Sequence, residues 1–411
     1  VTAGRDGKVM AWDYVSKATI ATVKNAHGCT AVTAVPAAVD PDGKTFAVGF
    51  TDGVVRCYFL NDSQQLVLQQ VMKPHNDSVT QIDFSPDGKY VATCGADGLV
   101  FVLECPSGGA KDGSPYTPVG FVTAEDSVPV VTISWRADSN ALLYGFGNTL
   151  VEIDTSSGLQ SVSKNSFEMQ PSTRTYHFKP RPVIKEVNPE AEEKKGEEGE
   201  AKEEVVYVPP TVMSACYKMN AGEEENFLVG FSDEKAGKII EGKFGDEYSL
   251  GEYSAGVQTE NLLEAEDIAT HKSMTFSSSK NFLLSTCNDG SVHVRSSAAL
   301  GYYTKYSNHD ANTGGGTGAV LSYDDEYLLS VGEDGLLSIH LLNPSVLASS
   351  ALEAHEKKAI LEEKEKEKLL LVEDKAGSSL TTSKPSDETP PVAMVEDITD
   401  DAAYSIQDEK L

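Results

Sequence analysis

Histidines and carboxylates are the side chains in this sequence whose types and spacing could do chemistry. His27, His75 and His309 each stand before an apolar run, and His293 and His340 stand inside such runs. A histidine beside a carboxylate is the pairing that general acid–base catalysis uses, but a structural hydrogen bond is the default role for positions that recur with apolar runs. We therefore predict structural histidines and no catalytic residue.

The cysteines and the known ligand motifs indicate no cofactor and no metal. The six cysteines are scattered without a Cys-x-x-Cys pair, and several lie inside strand-like runs. This pattern is typical of buried, reduced thiols rather than of metal ligands or disulfides. The glycine run at 314–318 has no Lys-Ser/Thr after it, so we interpret it as a hairpin or inter-strand loop rather than a phosphate loop.

The charge balance excludes two classes of partner. The chain of 411 residues has 63 acidic and 34 basic residues, a formal net charge of −29. Such a surface repels phosphate backbones and anionic membranes. No apolar run approaches the roughly 18 residues of a membrane span. We therefore predict protein partners, and neither nucleic acid nor membrane.

The candidate histidines belong to a repeated unit of short strands. Between His75 and Glu104, three apolar runs are separated by turns at Ser85–Gly88 and at Asp97-Gly98. Glycine accepts the positive φ that tight turns need, and the runs are rich in β-branched and aromatic residues. A sheet this small needs neighbours of its own kind to bury both faces.

The same Asp-Gly punctuation recurs along the chain. The gaps between successive pairs are 46, 45, 192 and 45 residues, and weaker copies without the pair begin near Val130 and Val212. A period of about 40–45 residues is typical of propeller blades. We predict an all-β fold, a β-propeller of about seven blades, of which the first is incomplete in this chain. The Asp-Gly pairs are Asp6-Gly7, Asp52-Gly53, Asp97-Gly98, Asp289-Gly290 and Asp334-Gly335.

These units resemble WD40 repeats. The first unit ends on Trp12-Asp13, and the histidine openings and the Ser85–Gly88 turn also match the WD40 pattern. The resemblance implies that each histidine ahead of a first strand hydrogen-bonds toward the Asp turn and the strand-end tryptophan. The structural blade positions that it implies are Trp12, Asp13, His27, Asp52, Gly53, His75, Asp97, Gly98, Asp289, Gly290, His309, Asp334 and Gly335.

An unusual segment interrupts the propeller expected over 1–343. At about 185–205 nearly every residue is charged or small, so we predict a disordered acidic insertion. The preceding stretch is basic and aromatic, which suits either a docking segment for an acidic partner or a solvated loop. The docking candidates are Arg174, Tyr176, Phe178, Lys179 and Arg181.

After the propeller the composition changes to that of an acidic tail. Residues 344–372 are rich in helix formers, with Glu-to-Lys pairs such as Glu353–Lys357 at four-residue spacing. We predict a helical segment there, a flexible Ser/Thr/Pro linker over 373–395, and the start of a helix or coiled coil over 396–411. The whole tail is thus expected to be helical or disordered.

A WD40 propeller followed by this tail is similar to the large cilia- and flagella-associated WD-repeat proteins. The resemblance rests on the repeats and on the sequence from Glu396 to Ile406. It implies a non-catalytic scaffold in the ciliary or flagellar axoneme, part of a tether and tether-head complex. Its expected partners are an inner-arm dynein heavy chain, other tether subunits and doublet microtubule components. A cytosolic WD40 scaffold and a propeller enzyme with a site at its central channel are the alternatives.

Overall fold

The computed structural model describes residues 1–105, 115–162, 166–178, 181–186, 203–219, 225–232, 239–245, 257–261, 269–297, 300–301 and 303–342. These residues form 28 β-strands and two short 3₁₀ turns, and they contain no α-helix. The predicted helical segment, linker and coiled-coil start lie outside them. In the described part of the chain, no helix is long and apolar enough to cross a membrane.

The strands form the seven blades of a β-propeller, which confirms the predicted fold class. Each blade is an antiparallel sheet whose strands follow one another in sequence. Blade 1 contains β1 (Thr2–Ala3), β2 (Lys8–Asp13) and β3 (Ala18–Lys24). Blade 2 contains β4 (Cys29–Ala34), β5 (Thr45–Phe50), β6 (Val55–Leu60) and β7 (Leu66–Met72). Blade 3 contains β8 (Val79–Phe84), β9 (Tyr90–Gly95), β10 (Leu99–Glu104) and β11 (Thr117–Thr123). Blade 4 contains β12 (Val130–Trp135), β13 (Ala141–Phe146), β14 (Thr149–Asp154) and β15 (Thr173–His177).

The later blades follow a two-stranded hairpin. This hairpin pairs β16 (Arg181–Glu186) with β17 (Glu203–Val208). Blade 5 contains β18 (Val212–Tyr217), β19 (Asn226–Phe231), β20 (Ile239–Lys243) and β21 (Val257–Asn261). Blade 6 contains β22 (His271–Phe276), β23 (Phe282–Cys287), β24 (Ser291–Ser296) and β25 (Thr304–Ser307). Blade 7 contains β26 (Gly316–Leu321), β27 (Tyr327–Gly332) and β28 (Leu337–Leu341).

Two sequence expectations need correction here. The ends of the predicted disordered insertion, residues 185–186 and 203–205, lie in the paired strands β16 and β17, and the residues between these strands lie outside the described ones. The β-branched run around Val205 and Val206 favours a strand despite the acidic neighbours. The glycine run at 314–318 is not entirely a loop, because Gly316 begins the innermost strand of blade 7.

The hydrophobic cores lie between neighbouring blades rather than inside them. Between blades 3 and 4, for example, Trp135 is buried and stacks on Tyr90 at a centroid distance of 6.1 Å. Separate clusters join blades 1 and 2, 2 and 3, 4 and 5, 5 and 6, and 6 and 7. Tyr14 of blade 1 meets Tyr327 of blade 7 edge to face at 5.3 Å. The ring is therefore closed by packing between blades, as expected for units that cannot bury both faces alone.

Polar side chains also tie together the innermost strands of neighbouring blades. The amide of Gln81 in β8 donates to the Ile133 carbonyl at 2.9 Å and accepts from its N–H at 3.0 Å. Thr132 in β12 makes the same two kinds of bond to Ala215 in β18. These side chains satisfy backbone groups that would otherwise be unpaired along the channel. The innermost strands are thus held in register across blades 3, 4 and 5.

Candidate functional site

The Asp-Gly turns all have one geometry. Each aspartate accepts a hydrogen bond from the N–H two residues later, over 3.0–3.3 Å. Each glycine has a backbone φ of 75–80°, a conformation that residues with a Cβ rarely adopt. At Gly53 a Cβ would also lie 2.2 Å from the His75 carbonyl oxygen of the next blade. These turns therefore connect the second and third strands and, at Gly53, also contact the next blade.

Behind two of these turns lies a buried histidine, as the resemblance to WD40 repeats implied. In blade 3, His75 is 1% exposed, and its Nδ1 donates to Asp97 Oδ1 at 3.0 Å while its Nε2 lies 2.9 Å from Thr93 Oγ1. In blade 7, His309 makes the corresponding contacts to Asp334 and to the Ser330 hydroxyl. Both networks join the loop that enters a blade to that blade's own turn.

The carboxylate in blade 3 is held in its ionised form. Burial alone would raise the pKa of Asp97, but hydrogen bonds from His75 and from the N–H groups of Asn76 and Leu99 outweigh it. The pKa of Asp97 therefore lies below its ordinary value. A group with a depressed pKa stabilises the fold above its unfolded-state pKa, and this contribution is lost in acid.

The third predicted blade-opening histidine takes a different place. The side chain of His27 is 52% exposed, and its Nε2 lies 3.6 Å from Asp52. His27 lies two residues before β4, whereas His75 lies four residues before β8. The residue four before β4 is Asn25, whose N–H donates to the Gly7 carbonyl as the His75 N–H donates to the Gly53 carbonyl. Blade 2 also has Phe50 at the end of β5, where blade 3 has Gly95. A Cβ at Gly95 would lie 2.7 Å from His75 Nδ1, so this space holds either a side chain at that position or a histidine ring.

We call this last residue of the second strand the corner position. In blades 2 to 7 it pairs with the first residue of the innermost strand, next to a β-bulge. Phenylalanine occupies it in three blades, glycine in two and cysteine in one. The corner residues in order are Phe50, Gly95, Phe146, Phe231, Cys287 and Gly332.

Blade 6 has a thiol at its corner position and two imidazoles around it. Cys287 Sγ lies 3.4 Å from His271 Nδ1 and 3.9 Å from His293 Nε2. Asp289 of the neighbouring turn accepts from the Ser291 hydroxyl and pairs with Lys305 at 2.9 Å. Sequence analysis missed this cluster. The available signal was Cys287 and His293 at either side of one Asp-Gly turn, with His271 on the paired strand.

Cys287 and His271 are residue types that form a nucleophile and its general base in enzymes, but here the thiol lacks the low pKa and the exposure that a nucleophile needs. Burial raises the pKa of the Cys287 thiol to about 12. The thiolate is the reactive form of cysteine, and it is scarce at neutral pH when the pKa is this high. Both side chains are at most 1% exposed, so a substrate has no access to them. The pair is therefore unsuited to covalent catalysis.

The remaining blade positions have local roles. Trp12 donates from its indole N–H to the Thr2 hydroxyl at 2.9 Å, which links β2 to β1. Asp13 accepts from the N–H of Val15 and from the Ser16 hydroxyl, and so holds the turn between β2 and β3. In blade 1 these residues support the sheet and its outer turn.

Two of the predicted docking residues are buried rather than presented to a partner. Arg174 is 6% exposed and pairs with Glu152, which also accepts from the Tyr217 hydroxyl at 2.6 Å. Phe178 is 4% exposed and packs edge to face on Phe231. The segment is amphipathic because it supplies the outer strand of blade 4, which its composition alone did not distinguish from a docking loop.

Of the other three docking candidates, one is less buried and one lies outside the described residues. Tyr176 is half-buried and lies beside Phe178 and Phe227. Lys179 lies outside the described residues, and Arg181 begins β16. The docking hypothesis for this segment therefore loses two of its five residues.

Among the described residues, exposed large apolar side chains are most numerous on blades 2 and 7. Blade 2 presents them mainly on its outer strand, and blade 7 presents them on β26, at its turns and on β28. Tyr323, at 84% exposed, and Leu341, at 71%, are the most exposed of them. These side chains are Val32, Val67, Leu68 and Val71 in blade 2, and Val320, Tyr323, Leu336 and Leu341 in blade 7. Apolar groups at a surface are typical of protein contact sites.

Comparison with known proteins agrees with this architecture. Residues 66–103 match the family model for the WD domain, G-beta repeat. That match runs from β7, the outer strand of blade 2, to β10, the third strand of blade 3. The sequence repeat is therefore offset by one strand from the structural blade.

The similar full-length proteins include ciliary ones. The chain is 24% identical over 413 aligned residues to cilia- and flagella-associated protein 44 of Mus musculus, covering 81% of this chain and 21% of that protein. It is 37% identical over 107 residues to the Chlamydomonas reinhardtii protein of the same name, covering 25% of this chain and 6% of that protein. A 77 kDa echinoderm microtubule-associated protein of Strongylocentrotus purpuratus is 29% identical over 152 residues, 36% of this chain and 20% of that protein.

The chain thus spans about a fifth of the length of the mouse relative. The same architecture is indicated by the matched WD repeat, by the seven blades and by these relatives. The chain is a seven-bladed β-propeller that matches the WD repeat model over residues 66–103 and resembles cilia- and flagella-associated protein 44, as its sequence predicts.

Proposed function

We propose that this chain is a non-catalytic scaffold of the ciliary or flagellar axoneme. The observation that carries the proposal is the similarity to cilia- and flagella-associated protein 44 over 81% of the chain. The fold supports it, because His75, His293, His309 and the Cys287 thiol are buried in structural networks. Propeller blades of this kind present loops and edges to protein partners.

The proposal extends to a tether and tether-head complex that holds an inner-arm dynein near the doublet microtubule. In this role the propeller binds the dynein heavy chain and other tether subunits, and the predicted coiled coil sets the reach. The charge of −29 disfavours direct contact with an acidic surface. We therefore propose that protein subunits, rather than bare tubulin, make most of the contacts. The exposed apolar side chains of blades 2 and 7 suit such contacts.

The two faces of the propeller carry separate sets of exposed lysines, which allows a sharp test. Because the strands of a blade alternate in direction, the Asp-Gly turns lie on one face, and the turns after the innermost and third strands lie on the other. Lysines of the Asp-Gly face are Lys8, Lys24 and Lys73, and those of the opposite face are Lys17, Lys89 and Lys280.

The test is amine cross-linking of intact axonemes, followed by mass spectrometry. We expect links from one lysine set to an inner-arm dynein heavy chain. If the Asp-Gly face binds, Lys73→Arg, which keeps the charge and removes the reactive amine, abolishes its links, and Lys89→Arg changes none. Links to other axonemal proteins without dynein would overturn the tether role. Links to cytosolic assemblies alone would overturn the ciliary role in favour of a cytosolic scaffold.

A further inference from the structure

The thiol and imidazoles of blade 6 converge from three neighbouring strands. His271 begins β22, Cys287 ends the paired strand β23, and His293 lies on β24. All three are at most 1% exposed. One ligand atom from each lies within 4.8 Å of the others. These are the donor types that bind zinc and other thiophilic ions.

The sulfur–nitrogen distances are close to those of a tetrahedral zinc site. With a Zn–S bond of about 2.3 Å and Zn–N bonds of about 2.0–2.1 Å, a sulfur and a nitrogen ligand lie roughly 3.6 Å apart. Cys287 Sγ lies 3.4 Å from His271 Nδ1, and 4.0 Å and 3.9 Å from Nδ1 and Nε2 of His293. Because Sγ is nearly equidistant from the two nitrogens, a rotation of the His293 ring aims either of them at an ion.

Hydrogen bonds around His293 select one of its nitrogens. The Ser291 hydroxyl donates to Asp289 Oδ1 at 2.5 Å, so it accepts the proton of His293 Nε2 at 3.1 Å. This chain from imidazole to carboxylate is the outer-shell arrangement common for metal-binding histidines. In this arrangement Nδ1 is the nitrogen that would bind an ion.

A neighbouring guanidinium is the feature that opposes a cation here. Arg295 Nη2 lies 3.4 Å from His293 Nδ1, longer than an ordinary hydrogen bond of about 2.7–3.2 Å. Arg295 is also held by a 2.9 Å bond to the Ser285 hydroxyl and lies over the Tyr303 ring. An ion at Nδ1 replaces the long contact, and the negative thiolate offsets its charge.

The corresponding space in blades 3 and 7 is completed by a carboxylate instead. There the corner glycine admits a histidine that donates to the turn aspartate. In blade 6 the turn aspartate, Asp289, binds Ser291 and Lys305, and the cysteine and histidines contact one another. Blade 6 therefore has a cluster of metal-binding groups where blades 3 and 7 have a hydrogen-bonded acid.

We propose that His271, Cys287 and His293 bind one thiophilic divalent ion of the zinc type, with a fourth position for water. The sulfur binds as a thiolate and its proton passes to solvent, so the step is a ligand exchange without oxidation. The ion joins β22, β23 and β24. Its role is to stabilise blade 6, since the site is closed to substrates.

The test uses the full chain, purified under reducing conditions and stripped with a chelator. On dialysis against Zn²⁺ we expect one tightly bound ion per chain and a rise in melting temperature. With Co²⁺ we expect an absorbance band from thiolate-to-cobalt charge transfer. Cys287→Ala abolishes the band and the bound ion. Cys94→Ala, which removes a buried strand thiol of blade 3, leaves both unchanged.

Two results would overturn the proposal. One is a natural chain that takes up no Zn²⁺ and shows no thiolate band with Co²⁺, a result that requires no variant. The other is a Cys287→Ala variant, folded by circular dichroism, that retains the ion. Should this variant not fold, His293→Gln is expected to weaken zinc binding at least tenfold, and undiminished affinity would contradict the site.

Discussion

Blades 3 and 6 have the same four-stranded order and the same Asp-Gly turn, yet they fill the space behind that turn differently. Blade 3 has Gly95 at the corner and admits the ring of His75, which binds Asp97. Blade 6 has Cys287 at the corner and brings His271 and His293 against it. The repeat thus requires that this space be filled and its polar groups paired, and it tolerates several side chains that do so.

The comparison explains why equivalent-looking histidines differ. His75 precedes its first strand by four residues and His27 by only two, so Asn25 holds the equivalent place in blade 2 and His27 is exposed. A histidine opening alone is therefore insufficient. The histidine must lie at the right distance from the first strand, and in blade 3 the glycine at the end of the second strand also leaves room for the ring.

The largest expected effect comes from a buried ion pair in blade 4, which is compared with an exposed pair. In blade 4, Arg174→Met leaves Glu152 buried without its cation, and we expect a loss of about 3–5 kcal/mol in the free energy of unfolding. The control is Lys243→Met, because the side chains of Lys243 and its partner Glu225 are 44% and 53% exposed, and the expected loss is below about 1 kcal/mol. Urea denaturation followed by circular dichroism measures both. Equal losses would contradict the importance of burial.

The next effect breaks blade 3 directly. His75→Ala removes a buried ring and leaves the Asp97 carboxylate and the Thr93 hydroxyl without it, so we expect a loss of about 2–4 kcal/mol. His27→Ala removes an exposed ring and should cost less than about 0.5 kcal/mol. Urea denaturation midpoints compare the two. A large effect of His27→Ala would show that the two histidines are equivalent after all.

A smaller effect tests the corner position itself. Gly95→Ala places a Cβ 2.7 Å from both His75 Nδ1 and Asp97 Oδ1, and we expect a loss of about 1–3 kcal/mol. Gly318→Ala is the matched strand glycine, since its Cβ would meet Val331 at an ordinary 3.5 Å. Thermal melts of both variants give the comparison. If Gly95→Ala is neutral, the glycine is not required for the histidine.

A further expected effect is a dependence on pH that separates the inner strands of the two blades. Burial raises the pKa of Asp83 to about 7, although N–H groups of Trp135 and Phe84 oppose the shift. The folded state then binds a proton that the unfolded state releases, so stability falls as pH rises from about 4 to 7. At the corresponding place blade 6 has Thr275, which does not titrate.

Asp83→Asn is the variant that isolates this dependence. Denaturation midpoints measured across that pH range should decline less steeply than those of the natural chain. The control is Asp138→Asn, at an exposed carboxylate whose pKa is lowered, which should leave the decline above pH 5 unchanged. An unchanged slope in Asp83→Asn would show that Asp83 is ionised throughout.

The repeat was predictable because its signals are local. The Asp-Gly turns need a glycine with positive φ, and five of them mark their blades directly in the sequence. Blades 4 and 5 lack the pair, but their strand order was still visible in the apolar runs. Seven blades and the WD40 resemblance follow from these features.

The contents of each blade were less predictable because they depend on contacts between strands. From the sequence, Arg174 belongs to a basic segment that is typical of a surface. The structure shows that it pairs with Glu152, which lies 22 residues earlier in the chain. His271 and Cys287 are 16 residues apart and become neighbours only through the register of β22 and β23. Composition does not reveal either pairing. The segment that contains the buried ion pair was therefore interpreted as a docking segment or a solvated loop, and the blade 6 cluster was missed.

The most direct test of a ciliary role is the amount of this chain in isolated, demembranated axonemes. Quantitative mass spectrometry should compare axonemes with the soluble cell fraction, before and after a wash in high salt. We predict a fixed ratio of the chain to doublet microtubule proteins, retained through the wash. Recovery of the chain in the soluble fraction alone would contradict the proposal.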